Sequence, residues 1–331
     1  MDNQTVRRGA HIHLDPVGGV AGDMFVAALL DAAPQLWPRV EADLEAVLPH
    51  GVSVERQHTM TGGLRAGRFV VTGGTAADAP LSRYGALSAR IEEATLTAGT
   101  AVHAQGILRR LAEAEAHIHN IPVAQVHFHE LADWDTLADV VAAGSIIAAF
   151  QEASWSLAPL PMGGGLVSTA HGLLPVPAPA TALLLKGFPV RADPIGGERV
   201  TPTGAAILAH IAPGVQQGGD LTGVGMGAGA HDIPGMPNIL RALILTPATV
   251  PNDETVGVLS FAVDDMTGEE IAVAADRLRA MDPVYDVSLA PRLGKKGRPE
   301  HLFQLLIAPN AREEVAEASF SQTSTIGLRW R

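Results

Sequence analysis

The sequence contains no cysteine among its 331 residues. This absence excludes disulfide bonds, thiolate zinc sites, iron–sulfur clusters and cysteine nucleophiles. Any metal ion must be bound by imidazole, carboxylate, carbonyl or thioether groups, or by water. Those ligands suit nickel, zinc, manganese or magnesium better than a soft metal. Histidine and acidic residues are therefore the main candidates for metal chemistry.

Three other features that the sequence lacks, or has little of, restrict the class of protein to which it can belong. Aromatic residues make up only 4% of the chain, so the core must be packed mainly with aliphatic side chains. Basic residues are outnumbered by acidic ones, and the net charge of −12 argues against a protein that binds nucleic acid through a basic surface. No apolar run reaches the roughly 18 residues of a membrane span, and MDNQTVRRGAHIHLD lacks the apolar core of a secretory signal. We expect a cytoplasmic protein that binds neither nucleic acid nor membranes.

Two domains joined by a short linker are predicted from the change of pattern along the chain. Residues 1–245 are predicted to form an α/β (α+β) domain, and residues 246–254, TPATVPNDE, the linker. Residues 255–331 then give the order βαββαβ: strand 256–263, helix 269–281, strands 285–291 and 301–308, helix 311–319 and strand 323–330. This order is that of a ferredoxin-like domain.

The N-terminal stretch HIHLDPVGGVAGDMF predicts a strand, a glycine-rich turn and a helix. His11, His13 and Asp15 alternate on one strand face, and the last two lie nearest the turn, where open α/β sheets bind ligands. For His11 the alternative is an edge strand with a polar face.

The turn itself carries Gly19, Gly22 and Asp23, with Asp23 as the predicted helix N-cap. A helix N-terminus of this kind can hold a phosphate or a carboxylate, although many such glycine patterns are simply tight turns. A second glycine-rich stretch, GVGMGAGAHDIPGMPN, is predicted to be a flexible loop before the strand ILRALILT.

The stretch VHFHELADWDTLADV, residues 126–140, concentrates imidazoles and carboxylates. In an extended segment His127 and His129 project from the same face, and Glu130 is then predicted to open a helix. On that helix Asp135 and Asp139 share a face at i, i+4. The stretch predicts a metal or acid–base site. The alternative is that the acids complement the helix dipole and the histidines cap a loop.

The predicted second domain carries charges at matched strand ends. Asp264 and Asp265 follow its first strand and are suited to a magnesium or manganese ion that accompanies a nucleotide. Lys295, Lys296 and Arg298 lie in the turn LGKKGRPEH and favour phosphate binding. The alternative is a solvated basic loop.

Taken together, the motifs resemble the LarC family of nickel-insertion proteins, the cyclometallases that complete the nickel-pincer nucleotide cofactor of lactate racemase. The similarity runs from HLDPVGGVAGDMFVAALLDA through VHFHELADWDTLADVV, AHGLLPVPAPATALLLKG and TPTGAAIL to VDDMTGEE, KKGRPEH and TSTIGLR. It covers nearly the whole chain. The resemblance implies insertion of nickel into pyridinium-3,5-bisthiocarboxylic acid mononucleotide, with CTP and Mg²⁺ or Mn²⁺ required. Both nickel–sulfur bonds and a nickel–carbon bond would form.

The resemblance also assigns roles to residues. Its candidates for binding nickel are His127, His129, Glu130, His171, Asp15 and His13. Its candidates for binding the nucleotide are Lys295, Lys296, Arg298, Asp264 and Asp265.

Several positions depart from the family pattern, which has Cys-Phe-Ser-Gly at residues 16–19 and Gly-Ala-Val-Asp-Ser at residues 132–136. Family members also continue beyond the position of Arg331, so a divergent, C-terminally short member acting with a second subunit is one expectation. Exposed sheet edges make a homo-oligomer another. The alternative functions are a nickel-binding, storage or chaperone protein without turnover, and a metal-dependent hydrolase that acts without CTP.

Overall fold

The computed structural model describes residues 9–73, 83–128, 134–169, 172–247, 256–294 and 297–331. It is a mixed α/β structure that divides into two compact units, residues 1–248 and 249–331. The predicted linker, residues 246–254, lies almost wholly outside the described residues. No helix within the described ranges combines the length and apolar character needed to cross a membrane.

The first unit is built on a six-stranded sheet in the order β2-β3-β9-β10-β1-β4. Its strands are β1 (His11–Asp15), β2 (Val52–Thr61), β3 (Leu64–Gly73), β4 (Ser154–Leu157), β5 (Leu160–Pro161), β6 (Leu166–Thr169), β7 (Gly172–Pro175), β8 (Val190–Arg191), β9 (Gly219–Ala228) and β10 (Ile239–Pro247). Strands β5 and β8 pair separately, as do β6 and β7.

The first unit also contains helices. They are α1 (Gly22–Ala32), α2 (Trp37–Val47), α3 (Tyr84–Glu93), α4 (Thr100–His119), α5 (Trp134–Ala149), α6 (Pro179–Leu184) and α7 (Pro202–Ile211). Of these, α1 packs on strands β3, β9 and β10. Strands β2 and β3 form a hairpin, and α4 runs for 20 residues. Helix α5 runs through the core, and all its residues except Asp135 and Asp139 are buried.

Strand β1 is an interior strand, so the edge-strand interpretation of His11 is wrong. It runs antiparallel to β10 and parallel to β4. Ile12 and Leu14 are fully buried in the aliphatic core, and His11 is fully buried on the opposite face. The polar face of β1 is thus built into the middle of the sheet.

The predicted glycine-rich loop, residues 223–238, is a loop only in its second part, because residues 223–228 belong to strand β9. Within β9, Gly223, Gly225 and Gly227 face α1. A Cβ atom on Gly225 would lie 2.1 Å from the carbonyl oxygen of Ala28, and one on Gly227 would lie 2.1 Å from that of Met24. Glycine is required because the helix backbone packs directly on the strand.

The start of α1 and the segment before His127 also differ from prediction. Helix α1 begins at Gly22 with Ala21 as N-cap, so Asp23 lies in the first turn and accepts a hydrogen bond from the N–H of Met24 at 2.8 Å. The sequence VAQVHFHE, residues 123–130, predicts an extended segment, but Val123–Gln125 form a 3₁₀ turn. The predicted helix start at Glu130 lies outside the described residues.

The second unit has the predicted order of elements. They are β11 (Gly257–Val263), α8 (Gly268–Arg279), β12 (Val284–Leu293), β13 (Pro299–Ile307), α9 (Arg312–Gln322) and β14 (Arg329–Trp330). The sheet order is β12-β13-β11-β14. The last strand is much shorter than predicted, because residues 324–328 have no regular secondary structure; there the Thr325 hydroxyl donates to the carbonyl of Gly327. This unit has its own core around Phe261 and Phe303.

Candidate functional site

The polar face of β1 combines imidazole and hydroxyl groups. In the register of the sheet, His11 lies beside Ser154 and His13 beside Ser156 on the parallel strand β4. Paired residues project from the same face, so the four side chains are neighbours. The Nδ1 and Nε2 atoms of His11 lie 2.8 Å from the hydroxyls of Ser154 and Ser156, respectively, and Nδ1 of His13 lies 2.9 Å from that of Ser156.

The surroundings of both histidines of β1 favour the neutral imidazole. Burial lowers the pKa of His11, and the nearby His13 lowers it further. Burial also lowers the pKa of His13, where Asp15 opposes the effect and Arg241 adds to it. A neutral imidazole is the form that binds a divalent metal, so this face is chemically suited to that role.

Asp15, a predicted metal ligand on the same face, is paired with a cation. Its Oδ2 lies 2.5 Å from Nη2 of Arg241 on β10. Both side chains keep part of their surface exposed, 25% for Asp15 and 42% for Arg241. A metal ion bound by Asp15 would have to share its carboxylate with Arg241.

The glycine-rich turn after β1 is fixed by two arginines. The Nε–H of Arg199 donates to the carbonyl oxygen of Gly18 at 2.6 Å, and Arg191 donates to the carbonyls of residues 16–17. A Cβ atom on Gly19 would lie 1.9 Å from the carbonyl oxygen of Arg199. Glycine at position 19 is thus explained by close backbone packing.

The N-terminus of α1 meets a group of carboxylates. A Cβ atom on Gly22 would lie 2.3 Å from Oδ2 of Asp139 on α5, so glycine leaves room for that carboxylate. Loss of hydration, together with the charges of Asp23 and Asp135, raises the pKa of Asp139 well above its usual value. Burial raises the pKa of Asp23 as well, although its hydrogen bond from Met24 opposes this. A carboxylate of the protein itself, that of Asp139, therefore lies at the N-terminus of α1.

The remaining predicted nickel ligands are only partly described. His127 pairs with Arg83 in an isolated β-bridge. His129, Glu130 and His171 lie outside the described residues. Among the residues that the structure describes, no three His, Asp or Glu side chains form a group able to hold a metal ion.

The second unit contains a cleft of about 510 Å³ at the predicted nucleotide residues. Asp264 and Asp265 line it, and Nη1 of Arg298 lies 4.0 Å from Oδ2 of Asp264. The Ser324 hydroxyl donates to the carboxylate of Asp265. Lys295 and Lys296 lie outside the described residues. The cleft thus combines carboxylates for a cation with a nearby guanidinium.

The family of this chain is decided by a match between its sequence and the sequence model of a protein family. The model described as nickel insertion protein matches residues 12–331. The chain belongs to this family. The resemblance inferred from the motifs is therefore confirmed.

Two relatives of this nickel insertion family cover most of the chain. A protein of Geobacter metallireducens, whose name assigns it provisionally to nickel insertion, is 38% identical over 322 residues, or 96% of this chain and 82% of that protein. A protein of Geobacter sulfurreducens with the same name is 40% identical over 326 residues, with the same two shares covered.

One solved structure is similar to a small part of this family member. It is the C-terminal domain of a cyclometallase involved in the synthesis of the NPN cofactor of lactate racemase, in its apo form. The identity is 29%, over 23% of this chain and 52% of that domain, with a TM-score of 0.22. At this score the superposition supports no conclusion about fold or function.

Several polar residues at the two sites of this family member were not predicted. Ser154 and Ser156 join the histidines of β1, and Arg292, Ser324 and Arg329 line the cleft of the second unit. The alternation S-W-S could have indicated a strand with two serines on one face. Nothing in the sequence showed which strand it would pair with.

Proposed function

We propose that this protein inserts Ni²⁺ into pyridinium-3,5-bisthiocarboxylic acid mononucleotide in a reaction that requires CTP with Mg²⁺ or Mn²⁺. The observation that carries the proposal is the span of the family match. It covers residues 12–331, and so includes both the histidine face of β1 and the cleft of the second unit. Nickel is a substrate in this reaction.

The chemistry of the side chains supports nickel as that substrate. The chain offers neutral imidazoles and carboxylates and no thiolate, a ligand set suited to Ni²⁺. We assign nickel delivery to His13, His127, His129, Glu130, His171 and Asp15. Because no thiolate competes, the thiocarboxylate sulfurs of the substrate would be the softest ligands that the ion meets. Transfer from imidazole to sulfur is then favoured.

Formation of the nickel–carbon bond also releases a proton. The electron pair of the ring C–H bond becomes the bond to nickel, and the proton must pass to a base. We assign this role to the cluster of three carboxylates formed by Asp23, Asp135 and Asp139. Burial, together with the charges of Asp23 and Asp135, raises the pKa of Asp139 well above its usual value, which makes this carboxylate a stronger base.

We assign nucleotide binding to the second unit, and we infer a ferredoxin-like fold for it from the sheet order β12-β13-β11-β14. Asp264 and Asp265 would bind the divalent cation, and Arg298 with Lys295 and Lys296 would contact the triphosphate. Arg292 lines the same cleft and extends this cationic group.

The test incubates the full chain with NiCl₂, MgCl₂ or MnCl₂, CTP and the bisthiocarboxylate nucleotide, and measures nickelated product by mass spectrometry. We expect product only when CTP is present. A D264N/D265N variant should lose at least 90% of the rate, whereas D276N should retain it, because Asp276 lies on α8 and is exposed.

The alternatives give different results in the same assay. Bound nickel without product, from folded protein supplied with CTP, would identify a nickel-storage protein and overturn the proposal. Cleavage of a phosphoester or an amide without CTP would identify a hydrolase.

A further inference from the structure

The hydrogen bonds around β1 have a direction that can be derived atom by atom. The backbone N–H of Gln217 donates to Nε2 of His11 at 3.1 Å. A backbone N–H can only donate, so Nε2 of His11 carries no proton. A neutral imidazole has one N–H, so the proton is on Nδ1 and points to the hydroxyl of Ser154, 2.8 Å away.

The same reasoning fixes the next bond in the chain. Nε2 of His11 also lies 2.8 Å from the hydroxyl of Ser156. Since this nitrogen has no proton, the Ser156 hydroxyl must be the donor. A serine hydroxyl has a single hydrogen, which is now used. At its other contact, 2.9 Å from Nδ1 of His13, Ser156 can only accept, so Nδ1 of His13 carries the proton.

We infer that Ser156 and His11 are positioning residues that hold His13 as its Nδ1–H tautomer and so present the Nε2 lone pair to a divalent transition metal ion. The chain of bonds runs from the Gln217 backbone through His11 and Ser156 to His13. This inference rests on the proposed function, because it assigns supporting residues to one of the proposed nickel ligands.

The environment of His13 is consistent with that role. No hydrogen bond within the described ranges reaches Nε2 of His13, while Nδ1 is held by Ser156. The side chain is mostly buried, with 8% of its surface exposed, so its ring is held by its neighbours. Metal-binding histidines generally donate their other ring N–H to a hydrogen-bond acceptor, which fixes tautomer and orientation.

The first measurement needs no variant. Two-bond ¹H–¹⁵N correlation spectra of the full chain, with the His13 signals assigned by comparison with His13→Gln, report which ring nitrogen carries the proton. We expect the Nδ1–H pattern for His13. An Nε2–H pattern would overturn the inference.

The second measurement is the affinity for NiCl₂ alone, by isothermal titration calorimetry on untagged full chain. Loss of such a supporting hydrogen bond lowers metal affinity roughly 10- to 100-fold. We expect S156A to weaken nickel binding by about this factor and to move His13 toward the Nε2–H tautomer. S156T keeps the hydroxyl and should restore both properties.

Ser53→Ala is the matched control, since the Ser53 hydroxyl contacts Thr72 on the exposed hairpin of β2 and β3. It should change neither tautomer nor affinity. If S156A keeps both wild-type properties, or if His13→Gln binds nickel normally, the inference is wrong. Wild-type protein with the expected tautomer and nickel dependence but no nickelated product would instead contradict the proposed function alone.

Discussion

At the residue scale, the cluster of acidic side chains at the start of α1 lowers the stability of the folded protein. Asp139 on α5 is half-buried, and it lies against Gly22 at the helix start. Desolvation and two neighbouring acids raise its pKa well above the value it would have in an unfolded chain. The folded state therefore binds a proton more tightly than the unfolded state does, and folding stability depends on pH.

The sign of this dependence gives a prediction. A carboxyl group with a raised folded pKa stabilises the fold below its unfolded pKa, and this stabilisation is lost as pH rises through the folded value. Asp139→Asn removes the charge and keeps the shape, so we expect it to raise the unfolding midpoint at pH 8 by about 2–4 °C, or about 1 kcal/mol. At pH 4 the gain should be smaller. Thermal unfolding followed by circular dichroism from pH 4 to 9 measures both.

Asp232→Asn serves as the control, because Asp232 is exposed in a loop. It should leave the midpoint unchanged across the same pH range. A gap between Asp139→Asn and wild type that does not widen with pH would contradict the assignment of the raised pKa to Asp139.

At the element scale, the packing of α1 on β9 depends on the absence of side chains. Gly223, Gly225 and Gly227 alternate along the strand and face the helix. The sequence GVGMGAG predicted a loop because glycine is common in turns, yet the spacing of two residues is also the period of a strand face. The sequence could not distinguish these cases, since the deciding contact lies on α1, almost 200 residues earlier in the chain.

A substitution tests this packing. Gly227→Ala would place a methyl group 2.1 Å from the carbonyl oxygen of Met24, so the helix or strand must move. We expect a loss of about 1–3 kcal/mol in the free energy of unfolding. Urea denaturation followed by tryptophan fluorescence measures the change in midpoint.

Gly218→Ala is the comparison, because a Cβ atom there meets nothing within 4 Å. It should alter the urea midpoint little. Equal midpoints for the two variants would mean that α1 does not pack on β9 as described.

The sequence predicted some elements of the candidate site on β1 and missed others. The alternation in HIHLD correctly predicted a strand with His11, His13 and Asp15 on one face, because strand periodicity is local. The partners Ser154, Ser156 and Arg241 were missed because pairing between distant strands is not encoded locally. The pairing of Asp15 with Arg241 was missed for the same reason.

At the scale of the whole molecule, the two units have separate hydrophobic cores. The first is mainly aliphatic and is centred on α1, α5 and the six-stranded sheet, and the second surrounds Phe261 and Phe303. Each unit contains one of the two proposed sites. This separation makes it reasonable to study nucleotide binding in the second unit by itself.

We therefore expect residues 256–331 to unfold cooperatively when produced alone. MnCl₂ with CTP at about 100 times the dissociation constant should stabilise this unit by about 2.7 kcal/mol. That corresponds to a rise of about 10 °C or more in the unfolding midpoint for a unit of this size. Differential scanning calorimetry measures it. D264N/D265N should abolish the shift and D276N should keep it. An equal shift of the unfolding midpoint in D264N/D265N would show that the cleft is not the nucleotide site.

The interior position of β1 has a consequence for the order of folding during synthesis. His11 pairs with Leu245, more than 200 residues later in the chain. At roughly 5–20 residues per second, the ribosome takes on the order of 10–50 s to make the strand that completes this pairing. Until then β1 can pair only with β4, and the strands that complete the sheet on its other side are missing. Newly made chains should therefore depend on chaperones over this interval, and nickel cannot meet a finished ligand set before the first unit has been synthesised.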